Sequence, residues 1–279
     1  MAITTLDSLV NAMGNTSSRL VIDKASLANQ LAGLFSSLWR ATGQPGQGAI
    51  PTTTAVPTHA TTGALGFAQQ TAPAASYLAL LEGLNSNAAM TLEIHDRLAH
   101  MGGLSGIVTT AQTVGMDLSA ILGTSNLDAR KGDANYSDVQ WWLEWYTDTG
   151  STAVNITVNV TFNDDSSANL LTLALPATRR IGMMYPLNGL IQAADSGKFI
   201  RDVNTVTLSA TTGTAGNFGV TATRYRAGMF MPIANARFTN DWQQLGLPEI
   251  PNSACLFPVL MNSTTSTGTL RATGKIIHG

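Results

Sequence analysis

The sequence contains a single cysteine, Cys255, so no disulfide can form within the chain. Charge is the second scarcity. Asp, Glu, Lys and Arg together make up 11% of the 279 residues, less than half of the roughly 25% usual in soluble domains. Fifteen basic against seventeen acidic side chains give a net charge of −2 and a pI near 6.0. That balance supplies no basic field for a phosphate backbone and argues against nucleic acid as a partner. No stretch reaches the ~18 consecutive apolar residues of a membrane helix, so no membrane partner is expected. Met1 to Asp7 show no basic segment leading into an apolar run, so no secretory signal is expected and synthesis in a host cytoplasm is.

Hydroxyls fill the space that charge leaves. Ser (20) and Thr (36) form about a fifth of the chain, beside an ordinary 44% of hydrophobic residues. The length suffices to bury a core without covalent staples. Because mixed surface charge is what commonly keeps proteins separate, so ion-poor a chain is expected to work packed against other proteins.

Three regions are predicted. In residues 1–43, Leu6, Leu9, Val10 and Met13 recur at helical spacing, and Leu27, Leu31, Leu34 and Leu38 repeat the stripe after a break at Gly14-Asn15. Two short helices follow, the second capped by Asp23 or Ser26 and ended by Gly43 and Pro45. Residues 44–74 are Pro-, Gly- and Thr-rich without Lys, Arg, Asp or Glu, a composition shared by an extended arm lying on a neighbouring subunit and a linker. Residues 75–279 are predicted to form a β-sandwich domain. A short helix over 74–84 is expected first, from Tyr77, Leu78, Leu81 and Leu84.

Strands then dominate. Met90, Leu92 and Ile94 alternate with Thr91, Glu93 and His95. Val154, Ile156, Val158, Val160 and Phe162 alternate with polar residues and predict a strand wet on one face, with a return strand through Leu171, Leu173 and Leu175. Val206, Leu208 and Ala210 are expected to pair with Phe218, Val220 and Ala222 across a Gly-rich turn. Val139 to Tyr146 carries aromatics on both faces. Leu256 to Met261 and Leu270 to Ile277 complete the set. The fold class expected is mainly β, an antiparallel jelly-roll-like sandwich preceded by short N-terminal helices and an extended arm.

Few residues offer chemistry. His95, Asp96 and His100 have metal-like composition, but an i, i+5 spacing separates the imidazoles on a helix or a strand. Asp96 with Arg97 as a local ion pair is the simpler expectation. Gly103-Leu104-Ser105-Gly106-Ile107 lacks the last glycine of a nucleophile elbow. Asp164-Asp165 falls in a predicted hairpin turn. Arg179-Arg180 and Arg224/Arg226 suggest a solvated face or interchain pairs. Trp141, Trp142 and Trp145 suggest core packing, with a glycan platform as the alternative, and Cys255 reads as a small buried hydrophobe. No catalytic, cofactor-binding or metal residue is assigned and no enzyme is expected.

The stretch from Leu92 through Glu93, Ile94, His95, Asp96, Arg97, Leu98, Ala99, His100, Met101, Gly102, Gly103 and Leu104 to Ser105, followed by Thr109 to Val114, resembles a block in a family of structural proteins of tailed bacteriophages. Met184 to Leu187, Asp195 to Gly197, Arg201 to Val203 and Val206 to Ser209 look like a second shared block. The resemblance implies a virion protein that decorates or cements the capsid surface, with the major capsid protein as partner and self-association, as a homotrimer. The alternatives are the major capsid subunit itself, or a receptor- or glycan-binding module of a head or tail fibre. A coat subunit of that kind would need a long spine helix, which the sequence does not offer.

Overall fold

The computed structural model describes residues 3–14 and 18–279; Met1-Ala2 and Asn15 of the Gly14-Asn15 break lie outside them. Helix α1 (Leu6–Gly14) comes first. The strands that follow are β1 (Ser18–Lys24), β2 (Phe35–Ser37), β3 (Gly43–Gln44), β4 (Ser76–Asn85), β5 (Met90–Leu104) and β6 (Gln112–Asp117). After the single-turn helix α2 (Leu127–Arg130) come β7 (Val139–Thr147), β8 (Val154–Phe162), β9 (Ser167–Asn169), β10 (Leu173–Leu175), β11 (Met183–Pro186) and β12 (Ile200–Leu208). β13 (Asn217–Met231), β14 (Phe238–Asp241), α3 (Trp242–Leu245), β15 (Glu249–Ile250), β16 (Leu256–Met261) and β17 (Leu270–His278) complete the chain. The mainly β, antiparallel class expected from the sequence is observed.

The chain forms two compact units where the sequence reading placed one sandwich over 75–279. Unit 1 comprises Met1–Gly48, Thr58–Asp96 and Tyr225–Gly279; unit 2 comprises Ala49–Pro57 and Arg97–Arg224. Two of the four boundaries fall inside the 15-residue strands β5 and β13, between Asp96 and Arg97 and between Arg224 and Tyr225.

In unit 1 one sheet has the order β14-β4-β17-β1-β3, with β15 also on β4. A second layer is built on β2, β16 and the first half of β5. Leu20 and Ile22 of β1, Leu78 and Leu81 of β4, Leu92 and Ile94 of β5 and Leu256 and Leu260 of β16 share one core. In unit 2 the sheet order is β10-β8-β12-β6, with β9 also on β8. β7 pairs there with β11 on one side and the first half of β13 on the other.

The predicted strand over 154–162 is observed as β8. Its five apolar residues are buried, and Asn155, Thr157, Asn159 and Thr161 form the wetter face. The return segment is split into β9 and β10, both paired to β8.

Other expectations are corrected. Thr5 and Ser8 exchange backbone-to-hydroxyl bonds of 3.1 and 3.0 Å and cap α1, as its spacing predicts. The second helix does not form. Residues 18–24 are instead a strand with Leu20, Ile22 and Lys24 buried in alternation, and the leucines at 27, 31, 34 and 38 are interrupted by left-handed Asn29 and Gly33. The helix expected over 74–84 is β4, paired to β17 on one side and to β14 and β15 on the other. Its half-exposed face carries Tyr77, Leu80 and Leu84, so the apolar run is near-continuous and fits both periods. β12 and β13 are not hairpin partners: β12 pairs with β6 and β8, and β13 with β7. Leu65 and Phe67 enter the core of unit 1, and Ala55 bridges His100 in unit 2.

Candidate functional site

Opposite facing of successive strand side chains separates the cluster read at 95–100. Asp96 and Arg97 each pair with a residue distant in sequence. In unit 1, Asp96 is fully buried; its Oδ2 lies 3.2 Å from Arg226 Nη2, and its Oδ1 accepts the Cys255 backbone N–H at 2.8 Å. His95 Nε2 is bonded to Glu93 Oε2 at 2.7 Å, and its ring meets Tyr225 edge-on.

In unit 2, Arg97 is fully buried and its Nη2 donates to Glu144 Oε1 at 2.7 Å. Glu144 also accepts from the hydroxyls of Thr221 and Tyr146. Arg97 Nη1 reaches Thr221 Oγ1 and His100 Nδ1, each at 3.2 Å. Burial, reinforced by the neighbouring Arg97 charge, pushes His100 down to about 3, so its imidazole is neutral and Nδ1 is an acceptor. Burial likewise raises the Tyr146 phenol, which stays protonated. The network gives every charge a partner but presents none of them to solvent. No group of three or more His, Cys, Asp or Glu suited to a metal ion occurs among the described residues.

The remaining candidates are structural. Trp141, Trp142 and Trp145 are buried, as core packing predicts. The Trp141 indole donates to the Ile200 carbonyl at 2.8 Å, the Trp142 indole to Thr223 Oγ1 at 2.8 Å, and Trp145 stacks on Phe218 at 5.3 Å. Both faces of β7 are covered, which is why its aromatics need not alternate with polar residues. Cys255 is buried and forms no disulfide. Gly106 cannot carry a side chain, because a Cβ would lie 2.5 Å from Thr212 Oγ1. Asp164 and Asp165 occupy the β8–β9 turn, paired to Lys198 and Arg201 respectively.

The arginine doublets do not form a solvated face. Arg179 is buried and donates to the Pro176 and Ala177 carbonyls and the Tyr185 hydroxyl. Arg180 pairs with Asp148, Arg224 with Asp138 and Arg226 with Asp96. Lys24 is fully buried and donates to the carbonyls of Ala41 at 2.9 Å and Pro45 at 2.6 Å; burial pushes it down to about 8. A pocket in unit 2 lined by Trp145, Ile156, Leu208 and Phe218 encloses about 10 Å³, room for one water and not for an organic substrate.

What the surface does offer is apolar. In unit 1 Phe230 is 56% exposed, Ile233 61% and Met261 39%. Met261 lies opposite Phe35 on β2 and Thr91 on β5, and β13, which carries Phe230, is the next strand beyond β5. Ile233 follows where the chain leaves β13, and the Ala89 N–H bonds the neighbouring Pro232 carbonyl. Leu6 and Val10 are exposed together on the outer side of α1, whose Leu9 and Ala12 pack on Ala79 and Ile277. Sequence patterning did not single out Phe230, Ile233 or Met261, because an outward apolar residue on a strand looks like any other member of an apolar run.

No protein-family model matches the chain. No curated protein matches it either. Solved structures similar to it come from infectious bursal disease virus. The structure of its Gt strain is 10% identical, with 94% of this chain and 80% of that chain covered at a TM-score of 0.17. The VP2 subviral particle is 10% identical over 95% and 80% of the two chains, at a TM-score of 0.18. The viral particle is 8% identical over 95% and 77%, at a TM-score of 0.15.

Proposed function

We propose that the chain is a structural subunit of a virion that acts by assembly, decorating and stabilising the capsid through protein–protein interfaces and self-association. The observation that carries this reading is the contrast between its charges and its apolar side chains. Arg97, Arg179, Arg226 and Lys24 are buried on carboxylates, carbonyls and hydroxyls of the same chain, while Phe230, Ile233 and Met261 stand in solvent. Aromatic residues and methionine are enriched where protein surfaces meet and free charges are depleted there. A stable contact of about 800 Å² per partner, repeated around a closed shell, needs no single strong interaction. The buried networks have no solvent-facing nucleophile or base, which supports a non-enzymatic role.

The same observation favours a second reading. Two units, each with its own core, give a body large enough to tile a shell, which would make the chain the coat subunit. Sedimentation velocity and electron microscopy of the purified full chain separate the two. A decorating subunit gives discrete small oligomers at micromolar concentration, a coat subunit gives closed shells, and Phe230→Ser with Ile233→Ser gives monomers in either case. A wild-type chain that stays monomeric and ignores viral particles overturns both.

A further inference from the structure

Asp117 on β6 and Asp202 on β12 are direct register partners in unit 2. Side chains of directly opposed residues on adjacent strands stand on the same side of the sheet. Asp117 Oδ1 accepts three hydrogen bonds, from Ser119 N at 2.8 Å, Ser119 Oγ at 2.6 Å and Ala120 N at 3.1 Å. Asp202 is 4% exposed, and its Oδ2 accepts from Arg201 Nε at 3.0 Å and Nη2 at 2.9 Å. Its Oδ1 is buried and has no donor. As directly opposed register partners the two carboxyl groups face each other across the β6–β12 pair, and two carboxyls can bond only when one of them carries a proton.

We propose that Asp202 and Asp117 share one proton, held on Asp202 Oδ1 and donated to Asp117, and that this bond is a proton-operated latch holding β6 to β12. Asp117, with three donors on one oxygen, is the ionised partner. β6 stands at the edge of its sheet, in the order β10-β8-β12-β6, so no further strand of that sheet restrains it once the latch opens. The pairing of β12 already shifts register between Val203 and Thr205, next to the latch. The charged and titratable groups around the pair are Arg201, Asp165 bonded to Arg201, Asp128 and Tyr136. Arg201 is the cation among them, and it already serves Asp165 and the other oxygen of Asp202.

Burial, aided by the Asp117 carboxylate and opposed by Arg201, raises Asp202 to about 6. Burial acts to raise Asp117 as well, but the Ser119 and Ala120 hydrogen bonds outweigh it and hold that group below its ordinary value. A carboxyl raised on folding stabilises the folded state below its unfolded pKa, and that contribution is lost as pH rises through the folded value. The latch is therefore closed in mild acid and open at neutral pH. This reading is independent of the assembly proposed above and depends only on the interior of unit 2.

The test is carboxyl ¹³C NMR titration of the full chain together with hydrogen-exchange protection of the β6 amides at about pH 5 and about pH 8. The pair is expected to show an upper apparent pKa near 6, and β6 protection is expected to fall about tenfold between those pH values, since pH 5 lies one unit below the folded value. Asp202→Asn replaces the shared proton by a permanent amide donor and should make β6 protection flat with pH. Asp117→Asn, whose amide would donate to Asp202, should do the same and serves if the first variant does not fold. Because His100 also titrates in unit 2, the readout is the difference between wild type and variant. Both carboxyls titrating in the ordinary aspartate range, or either variant keeping the wild-type pH dependence of β6, overturns the proposal.

Discussion

Asp96 and Arg97 are neighbours on one strand, yet each anchors a buried ion pair in a different unit, and the two pairs are built differently. In unit 1 Asp96 serves Arg226 and one backbone N–H, a local clip between β5, β13 and the start of β16. In unit 2 Glu144 serves Arg97, Thr221 and Tyr146, and Arg97 in turn reaches His100. The difference shows how burial of charge is tolerated. A buried charge is held in one case against a backbone N–H beside its ion pair and in the other against side-chain hydroxyls, and both give the carboxylate hydrogen bonds in addition to its cation.

Removing one acid from each pair is the strongest way to separate the units. Glu144→Ala removes the carboxylate on which the fully buried Arg97 guanidinium is paired and is expected to cost about 4 kcal/mol. Asp96→Ala is expected to cost about 3 kcal/mol, since Arg226 keeps the Glu249 carbonyl at 3.5 Å. Chemical denaturation checks both values. Hydrogen exchange should localise the first loss to β7 and the second to β16, and equal losses in both strands would dissolve the distinction.

The two units should also respond to opposite ends of the pH scale. His100 is held neutral down to about 3, so the unfolded chain binds the extra proton first, and the His100 contribution to unit 2 is lost as pH falls below 6.5, against the opposite contribution of Asp202 as pH falls below about 6. Two pH units into that window correspond to about 3 kcal/mol. Lys24 is lowered to about 8, so between 8 and 10.5 the unfolded chain holds the proton that the folded chain has released, and unit 1 gains stability as pH rises through that range. The gain approaches about 3 kcal/mol at its upper end. His100→Gln and Lys24→Met should each flatten only their own limb. At the small end, Phe230→Ser removes an exposed side chain and is expected to shift stability by no more than about 0.5 kcal/mol, while it weakens self-association. A large destabilisation there would mean that the ring belongs to the core and not to an interface.

Strand β8 was legible because one face is buried and the other is wetter, so its alternation is fault-free. β4 is not legible in the same way because its half-exposed face is largely apolar too, with Tyr77, Leu80 and Leu84, and a run such as Leu78-Ala79-Leu80-Leu81 satisfies helical and extended spacing alike. The leucines at 27, 31, 34 and 38 misled in the same way, since their spacing is helical while Asn29 and Gly33 carry the left-handed turns of an irregular segment. Cys255 and the tryptophans were read as core from residue type alone. The exposed Phe230, Ile233 and Met261 were not, because exposure belongs to the folded surface and leaves no periodic trace.

By itself the sequence determined that the chain is mainly β, scarce in charge, rich in hydroxyls and able to form a core without disulfides, since each of these follows from composition and alternation. Tertiary structure alone decided that β5 and β13 cross from one unit to the other, that Asp96 and Arg97 part company, and that Asp117 faces Asp202 from 85 positions away. The physical reason is that alternation records which face of a strand is buried, whereas strand order and register record which distant strand lies beside it.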